Sequence, residues 1–182
     1  MDHFKIDELV RFMNSKLHID IPLYYNNPKC AIRFNFDDIS TEQAENIIDS
    51  VIHFLFGNYP FWVCEYGSIS GKIMLDNHLF STQIPEIIVV PYLYTSEDGD
   101  WFEYDHDAIA CVHTEIADFS VRKYITYVLE REFISNTIFL IDETREIALY
   151  AYDRRGMDIA STDKAVLGQL SEKFNSYVSK SV

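Results

Sequence analysis

Long apolar runs are missing from this chain of 182 residues, and none approaches the ~20 residues that a membrane-spanning helix needs. Cysteine is scarce. Cys30, Cys64 and Cys111 are odd in number and widely spaced, with no Cys-x-x-Cys among them. That excludes the disulfide framework of a small secreted domain and predicts buried, small apolar residues in a reducing compartment. Glycine is limited to six residues, too few for a rich phosphate cradle. Gly-x-x-x-x-Gly-Lys-[Ser/Thr], Gly-x-Gly-x-x-Gly, His-Glu-x-x-His and Gly-x-Ser-x-Gly are all absent, which removes the sequence support for nucleotide, dinucleotide, zinc-hydrolase and nucleophile-elbow chemistry. The acidic start, Met1 to Glu8, lacks the apolar core of a signal peptide, so the expected location is the cytoplasm.

The most informative absence is positive charge. Between Lys72 and Arg122 there is no lysine or arginine, while residues 73–121 carry ten acids: Asp76, Glu86, Glu97, Asp98, Asp100, Glu103, Asp105, Asp107, Glu115 and Asp118. Most of the net charge of −14 therefore sits in this one stretch. Such a field repels nucleic acid and anionic membranes and attracts basic surfaces. No direct nucleic-acid or membrane contact is expected.

Apolar residues make up 48% of the chain and aromatics 15%, enough for a chain of this size to bury roughly 70% of its unfolded surface without metal or disulfides. One domain over 1–182 is the simplest reading, because no repeat, low-complexity tract or linker interrupts it. Apolar spacing predicts a helix over 3–16, then an ordered loop from Ile21 to Pro28 and a strand from Ala31 to Phe36. Ser40 or Thr41 is placed to cap a helix whose inward stripe is Ile47, Ile48, Val51, Ile52 and Leu55, with Gly57 to Pro60 ending it. Strands are expected at Phe61–Tyr66, Glu86–Tyr94 and Ile109–Ile116, with Pro91 pushing the second to a sheet edge or bulge. Ser120 is placed to cap a helix over 121–133. A hairpin should pair Ile138–Ile141 with Glu146–Tyr152, and Met157–Ala160 should extend the sheet. A last helix starts at Thr162 or Asp163 and buries Val166, Leu167, Leu170, Phe174, Tyr177 and Val178. The expected fold is α/β of the α+β kind: a mostly antiparallel central sheet of about five to seven strands with three to four helices packed on it.

Within the base-free stretch, residues 96–107 hold six carboxylates, with Trp101, Phe102 and Tyr104 interleaved. Mutual repulsion makes such a cluster costly unless a partner offsets it. Aromatic anchors ringed by charge are the composition of a protein–protein contact, and carboxylates suit bidentate pairing with arginine. Glu97, Asp98, Asp100, Trp101, Glu103, Tyr104, Asp105 and Asp107 are thus the candidate partner-binding residues. Asp98-Gly99-Asp100 lacks the register and distal glutamate of an EF-hand, so no metal and no cofactor is expected. On a strand, Cys111, His113 and Glu115 would share a face; a mixed strand face against a helix is the plainer reading, and a small hydrolase or metal-dependent enzyme using Cys111 and His113, or the acid cluster, is the alternative. Tyr152-Asp153-Arg154-Arg155-Gly156-Met157-Asp158 reads as a strand entering a glycine turn at positive φ, locked by a local ion pair among Asp153, Arg155 and Asp158.

Two segments resemble an uncharacterised bacterial domain family. Pro22-Leu23-Tyr24-Tyr25-Asn26-Asn27-Pro28, followed by Ile32-Arg33-Phe34, is similar to its N-terminal signature. Residues 152–158 are similar to its C-terminal signature, Tyr-Asp-Asp-Arg-Gly-x-Asp, with Arg154 standing where the family has its second Asp. In size, acidity and lack of catalytic motif the chain also resembles the immunity proteins of bacterial toxin systems, including contact-dependent growth inhibition. That resemblance implies a cytoplasmic, non-enzymatic protein that binds a cognate basic toxin, a nuclease (RNase) domain, and occludes its active site.

Overall fold

A computed structural model describes residues 30–68, 86–89, 107–130 and 137–179 of the chain. Strand β1 (Ala31–Asn35) leads through a short turn into helix α1 (Thr41–Phe56). Of the two expected caps, Ser40 is the one used. Its Oγ accepts the Gln43 N–H at 3.2 Å, and Gln43 Oε1 accepts the Ser40 N–H at 3.0 Å, which satisfies two of the donors that a helix start leaves open. The expected stripe of Ile47, Ile48, Val51, Ile52 and Leu55 is buried.

The chain continues through β2 (Phe61–Ser68), β3 (Glu86–Val89) and β4 (Asp107–Thr114) to helix α2 (Val121–Leu129). A hairpin of β5 (Thr137–Asp142) and β6 (Ile147–Asp153), then β7 (Gly156–Ser161) and helix α3 (Lys164–Lys173), complete the described elements. Asp163 caps α3 by accepting the Ala165 N–H at 2.8 Å. The seven strands form one sheet in the order β1-β7-β6-β5-β2-β4-β3, and every pairing is antiparallel. The α+β architecture expected from sequence is the observed one, with three helices among the described residues; the expected helix over 3–16 lies outside them.

All three helices contribute to a single apolar cluster on one face of the sheet, with Phe34, Val63, Val112, Leu140, Leu149 and Ile159 across six of the strands. Strand alternation puts Trp62, Cys64, Phe139, Ile141, Tyr150 and Asp158 on the opposite face, and these are buried too. Burial on both faces explains why β5 and the first five residues of β6 read as continuous apolar runs without a polar period.

Two expectations need correction. Ser120 occupies the position before α2 but makes no side-chain capping bond, and that helix closes at Leu129 with Glu130 as its C-cap, short of the expected residue 133. Its hold on the fold comes from burying Val121, Tyr124, Ile125 and Val128. The hairpin turn is tied from outside as well as within. Arg145 donates to Asp142 and to the Leu55 carbonyl at the end of α1, and its guanidinium lies 3.7 Å from the Tyr59 ring centroid.

The sheet's two margins are finished differently. Along β1 the Asn35 N–H donates to the Tyr177 carbonyl at 2.8 Å, and the Arg33 carbonyl accepts the Ser179 N–H at 2.7 Å. The segment after α3 thereby covers that edge. At the other margin of the described sheet lies β3, paired on one side with β4. No helix of the described residues is long and apolar enough to cross a membrane.

Candidate functional site

The base-free acidic stretch contains both β3 and β4, the last two strands of the sheet order. Their register pairs Val89 with Ala108 and Glu86 with Cys111. Val89 and Asp107, the described residues that flank 90–106 in sequence, thus lie at the same end of the β3–β4 pair. Of the candidate contacts, Glu97, Asp98, Asp100, Trp101, Glu103, Tyr104 and Asp105 lie outside the described residues. Asp107 is the first residue of β4 and pairs with Ser68. Beyond the other end of β4, Glu115 is exposed in the turn that leads to α2, where its carbonyl accepts the Asp118 N–H at 3.0 Å. Carboxylates therefore sit at both ends of β4, with no cationic residue between Lys72 and Arg122 to pair with them along the chain.

Cys111 and His113 share a strand face, as expected. The register adds what spacing alone did not: Cys111 is the direct partner of Cys64 on β2, and His113 is the partner of Trp62. The His113 ring is exposed, and its centroid lies 4.8 Å from that of Trp62. Among the described residues no three His, Cys, Asp or Glu side chains converge to hold a metal ion.

At the far margin, the segment over 152–158 is organised differently from the expected local lock. Asp153 does close the turn, accepting the Arg155 backbone N–H at 2.7 Å and its Nε at 2.9 Å. Asp158 takes no part in it. That carboxylate is fully buried on β7 and accepts Arg33 Nε and Nη2, each at 2.8 Å, from the facing position of β1. A bidentate pair of this kind is the strongest arrangement open to the two groups. Because Asp158 has left the water, removing either partner would leave a poorly compensated charge.

Tyr152 flanks the pair, with the Arg33 guanidinium 5.6 Å from its ring centroid. Burial, with the Asp158 charge adding to it, pushes the Tyr152 phenol well above its usual range. The turn glycine has the expected positive φ and a second reason besides. Gly156 has φ 159°, and a Cβ there would strike the Phe34 carbonyl, with the Tyr152 hydroxyl at 2.7 Å.

Sequence reasoning missed the Arg33–Asp158 pair, although a signal was present. Ile32-Arg33-Phe34 and Met157-Asp158-Ile159 each hold one charge, of opposite sign, at the centre of an apolar triplet. Beside the turn, Arg154 and Arg155 join Phe36, Asp37 and the first residues of α1 around an open cleft of about 450 Å³. This margin pairs Arg33 with Asp158 and Arg155 with Asp153, whereas the sequence of β3 and β4 holds acids and no lysine or arginine.

Residues 6–181 match the model of a family described as a domain of unknown function (DUF3885). That match takes in both margins and the whole acidic stretch. No curated protein and no solved structure matches the chain.

Proposed function

We propose, from the premise that the chain belongs to the family described as a domain of unknown function, DUF3885, that it is a cytoplasmic immunity protein which binds a basic toxin domain and blocks it without catalysing a reaction. The observation that carries this reading is the absence of any lysine or arginine through residues 73–121 against ten acids, in the stretch that supplies the terminal β3–β4 hairpin. The partner is a protein of opposite charge, a nuclease domain whose phosphate-binding surface is rich in arginine and lysine. Carboxylates of Glu97, Asp98, Asp100, Glu103, Asp105 and Asp107 steer its approach and pair with its arginines, and Trp101 and Tyr104 supply the desolvated centre of the contact.

Affinity capture from the native host, with mass spectrometry of the retained proteins, tests this. The expected result is one basic, toxin-like domain that high salt releases and whose nuclease activity the purified chain suppresses. Retention of a partner whose activity is untouched, or whose binding resists both salt and changes at 97–107, would overturn it.

A further inference from the structure

Two of the three cysteines, Cys64 and Cys111, are brought face to face by the sheet, and no part of the binding role uses them. The β2–β4 register runs unbroken from Phe61 opposite Thr114 to Ser68 opposite Asp107. Directly opposed residues of an antiparallel pair share one face, with Cα atoms about 4.5 or 5.5 Å apart according to the type of pair. Both values fall within the ~4.4–6.8 Å that a disulfide spans.

We propose that Cys64 and Cys111 form a reversible cross-strand disulfide. The register is the evidence: a shift of one residue would put the two positions on opposite faces, and the observed backbone pairing sets residue 64 directly opposite residue 111. Opposed Cβ atoms are typically about 4.5–5.5 Å apart, at or beyond the upper end of the ~3.5–4.5 Å that the bridge prefers. The strands must close slightly to form it, so the bond is strained and easily reduced. This fits a thiol pair in a reducing compartment, where a stable structural bridge would not persist.

Cys64 is fully buried, so oxidation proceeds through local opening at this margin. The margin suits such opening. Among the described residues β3 alone lies beyond β4 in the sheet, and its described pairing runs from Val89 opposite Ala108 to Glu86 opposite Cys111. Local opening at such a margin costs less than global unfolding.

The oxidant is a low-molecular-weight disulfide of the glutathione class. One cysteine thiolate attacks a sulfur of the reagent, forming a mixed disulfide and expelling one reagent thiolate. The second cysteine thiolate then displaces the other reagent thiolate and closes the Cys64–Cys111 S–S bond. The two cysteine protons end on the two released thiols; the protein is oxidised by two electrons and the reagent reduced by two.

Cys30 serves as an internal control. It adjoins β1, four strand positions from β2 in the sheet order, or about 19 Å at the usual strand spacing.

The test treats the folded full-length chain with oxidised glutathione, quenches with acid, blocks remaining thiols in denaturant and maps the peptides by mass spectrometry. The same treatment of the denatured chain supplies the comparison. The expected product is a Cys64–Cys111 linked peptide, opened by mild reductant, with Cys30 absent from any link; the denatured chain gives mixed pairings. The proposal is overturned if Cys64 and Cys111 both remain blockable after native treatment, or if native and denatured chains give the same pairings. Because the unmodified protein is used, no buried cysteine need be replaced. Failure here would leave the immunity reading untouched, since that reading invokes neither thiol.

Discussion

The two ends of the sheet handle charge in opposite ways. At the β1–β7 end each carboxylate of the 152–158 segment has a guanidinium of its own: Asp158 takes Arg33, and Asp153 takes Arg155. The open edge is covered there by backbone bonds to residues 177–179. The stretch 73–121, which includes β3 and β4, has ten acids and no lysine or arginine in its sequence. Charges paired within the fold raise the cost of unfolding. Charges of one sign repel one another and lower it, and their field is available to a partner. A single sheet thus joins an end whose charges pair within the fold to two strands drawn from the base-free acidic stretch, the end to which we assign binding.

The sharpest way to break this comparison is to remove Asp158. Asp158→Ala takes from Arg33, whose side chain is 17% exposed, its bidentate acceptor and should cost about 3–5 kcal/mol in urea denaturation. Replacing both residues by apolar ones, Arg33→Met with Asp158→Leu, should recover most of that loss, because the cost lies in the uncompensated charge. A loss below about 1 kcal/mol for Asp158→Ala would place the pair among ordinary surface bridges.

A smaller effect is expected at the neighbouring turn. Gly156→Ala drives a methyl group into the Phe34 carbonyl and towards the Tyr152 hydroxyl, and should cost about 1–3 kcal/mol in the same measurement.

Tyr152 gives a pH signature of the same end. Its phenol is held above the ordinary value of 10.0 in the folded state, so the fold binds that proton more tightly than the unfolded chain does. The associated stability is present below the unfolded value, about pH 10, and is lost as pH rises above it. Stability curves from pH 8 to pH 11 should therefore fall less steeply for Tyr152→Phe than for the unmodified chain.

The smallest stability effect belongs to the acidic end. Neutralising exposed Glu115 with Glu115→Gln should change stability by no more than about 0.5 kcal/mol. A large loss would show that the acids there are structural after all.

How much of this was legible in the sequence follows from the range over which each signal acts. Ser40, Gln43 and the stripe of α1 are local, as are the hairpin turn at 142–145 and the Asp163 cap, and all but Gln43's part in the cap could be read along the chain. Strand identities were readable too, since β-branched and aromatic residues cluster there. Strand order was not: β2 pairs with both β4 and β5, and β1 pairs with β7 at the other end of the chain. The Arg33–Asp158 bond depends on that order, which is why Asp158 was assigned to its own turn. Ser120 misled for the opposite reason. Its residue type fits a cap, but α2 is placed by packing and needs no side-chain bond at its start. The candidate contacts at 97–105 were chosen by composition and lie outside the described residues; Asp107 alone is placed, at the head of β4.

The most direct test of the division between the two ends is the association rate of the chain with its captured basic partner, measured across ionic strength for three proteins: unmodified, Glu103→Gln with Asp105→Asn, and Arg155→Ala. The expected result is a rate that falls steeply with salt, falls further when the two acids are neutralised, and is unchanged by Arg155→Ala. A rate insensitive to salt and to the acid changes, yet lowered by the change at Arg155, would move the binding surface to the opposite end of the sheet and contradict the assignment.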